Sequence, residues 1–177
     1  MTIPRTLIGT VGAVLLAFVV SSPAQAGDFV GIDSFVGDFY TIDTGTNTAT
    51  NLGQLAGAPP FGFGFVDRDN AGNLYATAPG LIGGYAIYKI DQSTLTATKL
   101  FDVATNSGGN VGLAVDPSGN SVWVAGFVQL SLIVRVEEVS LANGAVTDHG
   151  STGGNFWGLA FDSSGNLYST VQGSFSP

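Results

Sequence analysis

Three times along the chain an apolar run gives way to Gly-Asn and then to an aromatic: Gly72-Asn73-Leu74-Tyr75, Gly119-Asn120-Ser121-Val122-Trp123 and Gly165-Asn166-Leu167-Tyr168. The three glycines stand 47 and 46 residues apart. A period of that length belongs to repeat architectures, in which each unit is one supersecondary motif that buries its faces only by stacking on its neighbours. The repeat therefore constrains the architecture much more tightly than it constrains the chemistry.

One unit reads clearly from Gly109 to Gly150. Val111–Val115 is an uncharged apolar strand, and Asp116-Pro117-Ser118-Gly119 fits a type I turn, with Asp first, Pro second and Gly fourth. Ser121–Phe127 is a second strand, Leu132–Val139 a third, Leu141-Ala142-Asn143-Gly144 a hairpin turn and Ala145–Asp148 a fourth strand. Four antiparallel strands in about 42 residues make one propeller blade. Upstream the same order predicts strands at Phe61–Val66, Leu74–Ala78, Tyr85–Ile90 and Leu95–Leu100. In that unit Asp67 and Asp69 compete for the turn position: the Gly-Asn anchor selects Asp69, and the preceding apolar strand selects Asp67.

A second repeated signature is an outer hairpin. Tyr40-Thr41-Ile42-Asp43 followed by Thr46-Asn47-Thr48-Ala49-Thr50 recurs 48 residues later as Tyr88-Lys89-Ile90-Asp91 and Thr94-Leu95-Thr96-Ala97-Thr98. Each copy ends a strand on an aspartate that can accept turn N–H groups, then enters a Thr-rich strand suited to the exposed rim of a sheet. Beyond the first 26 residues no window shows helical spacing of apolar residues, whereas alternation and turn signals recur throughout. Phe29–Ile32, Asp38–Ile42 and Thr48–Leu52 read as strands two to four of a first blade, and Phe156–Phe161 with Leu167–Val171 as strands one and two of a last one. The expected groups thus hold three, four, four and two strands, over blades at about 28–55, 61–104, 109–150 and 155–177.

The first 26 residues read as a secretory signal peptide: Arg5, an uncharged apolar run from Leu7 to Val20, and an Ala24-Gln25-Ala26 cleavage site. That run is too short to span a bilayer, so after cleavage the remainder, residues 27–177, is expected to be a partial propeller domain free of membrane insertion, secreted or periplasmic. It carries Arg68, Lys89, Lys99 and Arg135 against 13 acidic residues, a balance that repels phosphate backbones and excludes nucleic acid as a partner. Cysteine is absent, so neither disulfides nor thiolate metal sites enter the argument.

The Asp-x-x-Gly-Asn-Leu-Tyr turn followed by the Tyr-x-Ile-Asp outer hairpin resembles the blades of secreted bacterial β-propeller repeat proteins, broadly the NHL, YVTN and strictosidine-synthase-like group, over nearly all of residues 28–172. The resemblance implies an all-β, propeller-type array of about three four-stranded antiparallel blades forming an incomplete ring, since closed propellers use four to eight. The expectation is either a fragment of a longer propeller or a homodimer that completes a ring with a second copy. A truncated product that folds poorly is the competing expectation. The same resemblance allows a metal-dependent, lactonase-like hydrolase, which would place Glu, Asn and Asp at inner strand ends. Glu137 and Glu138 instead fall on a third strand.

The chemistry-bearing candidates are few. Asp67-Arg68-Asp69-Asn70-Ala71-Gly72 opens like a calcium loop, but Ala71 and Ala78 stand where oxygen ligands are needed, so Asp67 and Asp69 are only weak metal candidates and no cofactor is expected. His149, between Asp148 and Gly150, reads as a solvated blade-edge residue, because adjacent strand side chains point to opposite faces and Asp148 cannot orient it. Tyr75, Trp123 and Tyr168 would form either a sugar-stacking platform or, more simply, inter-blade core. Phe156 and Trp157 are the candidates for an exposed binding contact. The expectation is a secreted, non-catalytic binding or scaffolding module for an extracellular protein or polysaccharide, with a truncated or degenerate lactonase-like hydrolase as the alternative.

Overall fold

The computed structural model describes residues 28–80, 84–104, 107–128, 134–151 and 156–171. The signal-peptide expectation lies outside them. Among the described residues every regular element is a strand: β1 (Asp28–Ile32), β2 (Asp38–Asp43), β3 (Thr48–Gln54), β4 (Val66–Arg68), β5 (Leu74–Pro79), β6 (Tyr85–Asp91), β7 (Thr96–Val103), β8 (Ser107–Val115), β9 (Ser121–Val128), β10 (Val134–Ser140), β11 (Val146–Ser151), β12 (Phe156–Phe161) and β13 (Leu167–Val171). They form four sheets in sequence order, β1-β2-β3, β4-β5-β6-β7, β8-β9-β10-β11 and β12-β13. Every pairing within a sheet is antiparallel. This is the expected three, four, four and two.

One strand departs from expectation. The first strand of the second blade begins at Val66 and ends at Arg68, whereas Phe61 sits in a turn closed by the Gly62 N–H donating to the Pro59 carbonyl at 3.0 Å. Pro59 and Pro60 lack N–H donors and set that turn, so Phe61 is left 63% exposed instead of entering the sheet.

The blades pack face to face, and the alternation of side chains along each strand decides which neighbour a residue meets. In the second blade Leu74, Ala76, Tyr88 and Ile90 face backward onto Val30, Ile32, Phe39 and Leu55. Tyr75, Tyr85 and Ile87 face forward onto Leu113, Val115, Val122 and Val124 of the third. Because β5 is covered on both sides, Leu74 through Ala78 are all buried, and its largest apolar side chains contribute about 1.5–3 kcal/mol each. The third seam, between the third blade and the two-stranded sheet, is smaller, with Ala125, Val134, Phe127 and Leu159. There the backbones approach closely: a Cβ at Gly112 would sit 3.0 Å from the Gly158 backbone, which explains a glycine inside an otherwise apolar inner strand.

Candidate functional site

The aspartates come first, since any metal or acid-base chemistry would draw on them. Asp69, Asp116 and Asp162 occupy the same position in three successive turns, and each carbonyl accepts the N–H of the glycine three residues on, at 3.0, 2.7 and 3.1 Å. Asp69 and Asp162 clamp the following asparagine twice, through its backbone N–H and its side-chain amide. Asp116 accepts from the Ser118 N–H and hydroxyl. The outer hairpins repeat the device, with Asp43 capping Gly45 and Thr46 and Asp91 capping Ser93 and Thr94. The donors around Asp91, led by the Ser93 hydroxyl, hold its carboxyl at about 2, and hydrogen bonds led by Asn166 also lower Asp162. These carboxylates are turn fasteners.

Asp69 therefore holds the turn, and Asp67 does something different. Its Oδ2 accepts the Val115 N–H at 2.9 Å, tying β4 to β8 across the seam, and beside it the Asn70 N–H donates to the Pro117 carbonyl at 3.3 Å. Where the inner strands β4, β8 and β12 converge they line an open pocket of about 280 Å³, with Asp67, Arg68, Asn70, Asp162 and Ser163 at its polar wall and Val115 among the apolar residues. Arg68 is exposed and makes no ion pair among the described residues, in contrast to Lys99 with Asp102 and Arg135 with Asp148. Among the described residues no three His, Asp or Glu side chains gather as a metal site would require.

A second concavity was not legible in the sequence. Between the connector that follows the first blade and the second blade a cleft of about 620 Å³ is walled by Pro59, Pro60, Phe61, Pro79, Tyr85 and Tyr88, with Lys99 and Asp102 at its edge. The edge pair is closed on itself, Lys99 Nζ standing 2.7 Å from Asp102 Oδ2. The cleft joins an inter-blade connector to the ends of three strands, so no local motif marks it. The Pro-Pro-Phe sequence at its lip was the one available signal.

Glu137 falls on the third strand, β10, as expected, but its burial and its partner were not anticipated from the sequence. It is only 6% exposed, and the Tyr85 hydroxyl of the neighbouring blade donates to its Oε2 at 3.0 Å. Burial raises its pKa above the ordinary carboxyl range, with Asp148 adding to the rise and the Tyr85 bond and Arg135 opposing it. Burial and the adjacent Glu137 carboxylate likewise raise Tyr85. A glutamate at the parity of Val139, which faces the second blade, was the sequence signal for this seam position.

Asp148 and His149 diverge as strand geometry requires. Asp148 meets Arg135 at 3.1 Å, and His149 Nε2 lies 3.1 Å from Glu138 Oε2, its ring stacked on Trp123 at 4.4 Å. The repeated aromatics do not share one environment: Tyr75 is 6% exposed in the core, Trp123 packs edge-on against Phe161, and Tyr168 is 58% exposed. Phe156 and Trp157 lie on β12, and their side chains fall outside the described residues.

No family model matches the chain, and no curated protein matches it. Solved structures do. The chain is similar to a gluconolactonase from Xanthomonas campestris, at 18% identity and TM-score 0.55 over 80% of this chain and 52% of that one. It is similar to a protein from Lactobacillus plantarum at 23% identity and TM-score 0.53, over 80% of this chain and 44% of that one. It is also similar to a TolB-type protein from Agrobacterium tumefaciens at 20% identity and TM-score 0.52, over 81% and 52%. At such identities the likeness shows the fold alone, a propeller-type arrangement whose ring is not closed within this chain. The chain spans about half the length of these structures.

Proposed function

We propose that the protein is a non-catalytic binding or scaffolding propeller module working outside the cytoplasm, with residues 1–26 as its export signal and an extracellular protein or polysaccharide as its partner. The observation that carries this reading is the proline- and aromatic-walled cleft between the connector and the second blade, which offers apolar surface and a self-contained ion pair. The carboxylates support it, since those of the turns, Asp67 and Glu137 all accept hydrogen bonds from the protein itself. The test is binding of a panel of soluble polysaccharides and proline-rich peptides to the wild-type chain and to Phe61→Ala. Phe61 is largely exposed, so the variant is expected to keep the wild-type thermal midpoint and to lose binding. Binding that survives the substitution would remove the cleft from the account.

A second reading, a metal-dependent lactonase-like hydrolase, is favoured by the fold likeness to a gluconolactonase and by the polar wall of the pocket between the inner strands. It predicts calcium-dependent lactone hydrolysis that Asp67→Asn abolishes. The binding reading predicts no turnover in a lactone and ester screen with or without added calcium.

A further inference from the structure

The repeat makes it possible to ask what each open blade face is built to meet. Phe29 pairs with Ile42 across the first sheet as Leu74 pairs with Ile90 in the second. Tyr40, Ile42 and Ala49 likewise hold the hairpin positions of Tyr88, Ile90 and Ala97. In the second blade Leu74, Tyr88, Ile90 and Ala97 are the backward face, buried against the first blade. In the first blade the equivalent residues have no described sheet behind them, and Phe29 is 63% and Ile42 37% exposed. At the other end Tyr168 pairs with Ala160 as Trp123 pairs with Ala114, and as Tyr75 pairs with Asp67. Tyr75 and Trp123 are covered by the next blade, and Tyr168 is not.

The described arc therefore ends in two faces of opposite kind, a backward face carrying Phe29 and Ile42 and a forward face carrying Tyr168. Each is a copy of a face that elsewhere in the same molecule is buried by the other kind. We propose that a second copy of this chain occupies them, the forward face of each protomer packing on the backward face of its partner. Two heterologous contacts related by a two-fold axis then close into one ring. The partner is a second copy because the faces match in kind: each is the repeat equivalent of a face that the other kind buries within this chain. Phe29 and Ile42, paired across β1 and β2, place two adjacent exposed apolar side chains on that face.

The experiment is sedimentation or light scattering on the purified full chain, on Ile42→Lys, on Phe29→Lys and on Tyr168→Lys, with circular dichroism to establish that each is folded. The wild type is expected at twice the mass of one chain, and each variant at the mass of one. Mixing Ile42→Lys with Tyr168→Lys is expected to restore the two-chain mass in part, because the intact forward face of the first variant meets the intact backward face of the second. A wild-type chain that remains a folded monomer at high concentration overturns the proposal. So does a dimer that all three substitutions leave unchanged, or one that mixing does not restore, since a head-to-tail contact must be complemented.

Discussion

Gly119 shows how one backbone position serves both a turn and a seam. Its φ of 72° is matched by 85° at Gly72 and 83° at Gly165, so all three use the left-handed region that glycine adopts freely. A Cβ at Gly165 would meet open space, whereas one at Gly119 would come within 2.7 Å of Asp69 Oδ2 in the neighbouring blade. Gly165→Ala is therefore expected to cost about 1–2 kcal/mol from backbone strain alone, and Gly119→Ala distinctly more. Paired denaturant titrations of the two variants measure the difference. Glu137 makes a prediction of another kind. Its pKa is raised by burial, so the folded chain holds the proton more tightly than the unfolded one. The stability it contributes is present below the ordinary glutamate value of about 4.3 and is lost as pH rises through the folded value. Gln is neutral and can still accept from Tyr85, so the thermal midpoint of Glu137→Gln should gain on the wild type as pH is raised from about 4 to about 7. A difference that does not vary with pH would show that Glu137 is not buried as described.

At the scale of elements, the two outer hairpins are the same object. Both place an aspartate before the turn and both hold a residue in the left-handed region at the same position, Asn47 at φ 54° and Leu95 at φ 51°. Asn tolerates that conformation and Leu does not. Leu95 packs against the first seam, however, and its carbonyl accepts the Ala56 N–H at 2.8 Å, so tertiary contacts hold it there. The seam tie made by Asp67 is the element-level counterpart. Asp67→Ala leaves the Val115 N–H without its partner and is expected to lower stability by about 1–3 kcal/mol, read by urea unfolding. Loss of less than the error of that measurement would show that the Asp67 bond adds nothing to the join between the second and third blades. These cases also show what the sequence discloses. Turn glycines, Asp caps and strand order come from local chemistry, and they were legible down to the three, four, four and two strands. The seams are not local: Asp67 meets a donor 48 residues away, Glu137 a hydroxyl 52 residues away, and the cleft draws on connector and strand ends together. Phe61 lies outside the sheet for a related reason, because an apolar residue after two prolines has the composition of a strand while the prolines impose a turn.

At the scale of the molecule, the blades are stacked in series, and each seam is made by residues of one parity from each side. The acidic residues serve that construction, fastening turns within blades and, at Asp67, tying one blade to the next. On the reading proposed here, carboxylates used in this way need no divalent ion to relieve their charge. The most direct measurement of that claim is thermal unfolding of the purified chain in excess calcium and again in excess chelator. The account predicts one cooperative transition with the same midpoint in both. A midpoint that falls by many degrees on chelation would contradict it, showing that an ion bound among these aspartates holds the blades together.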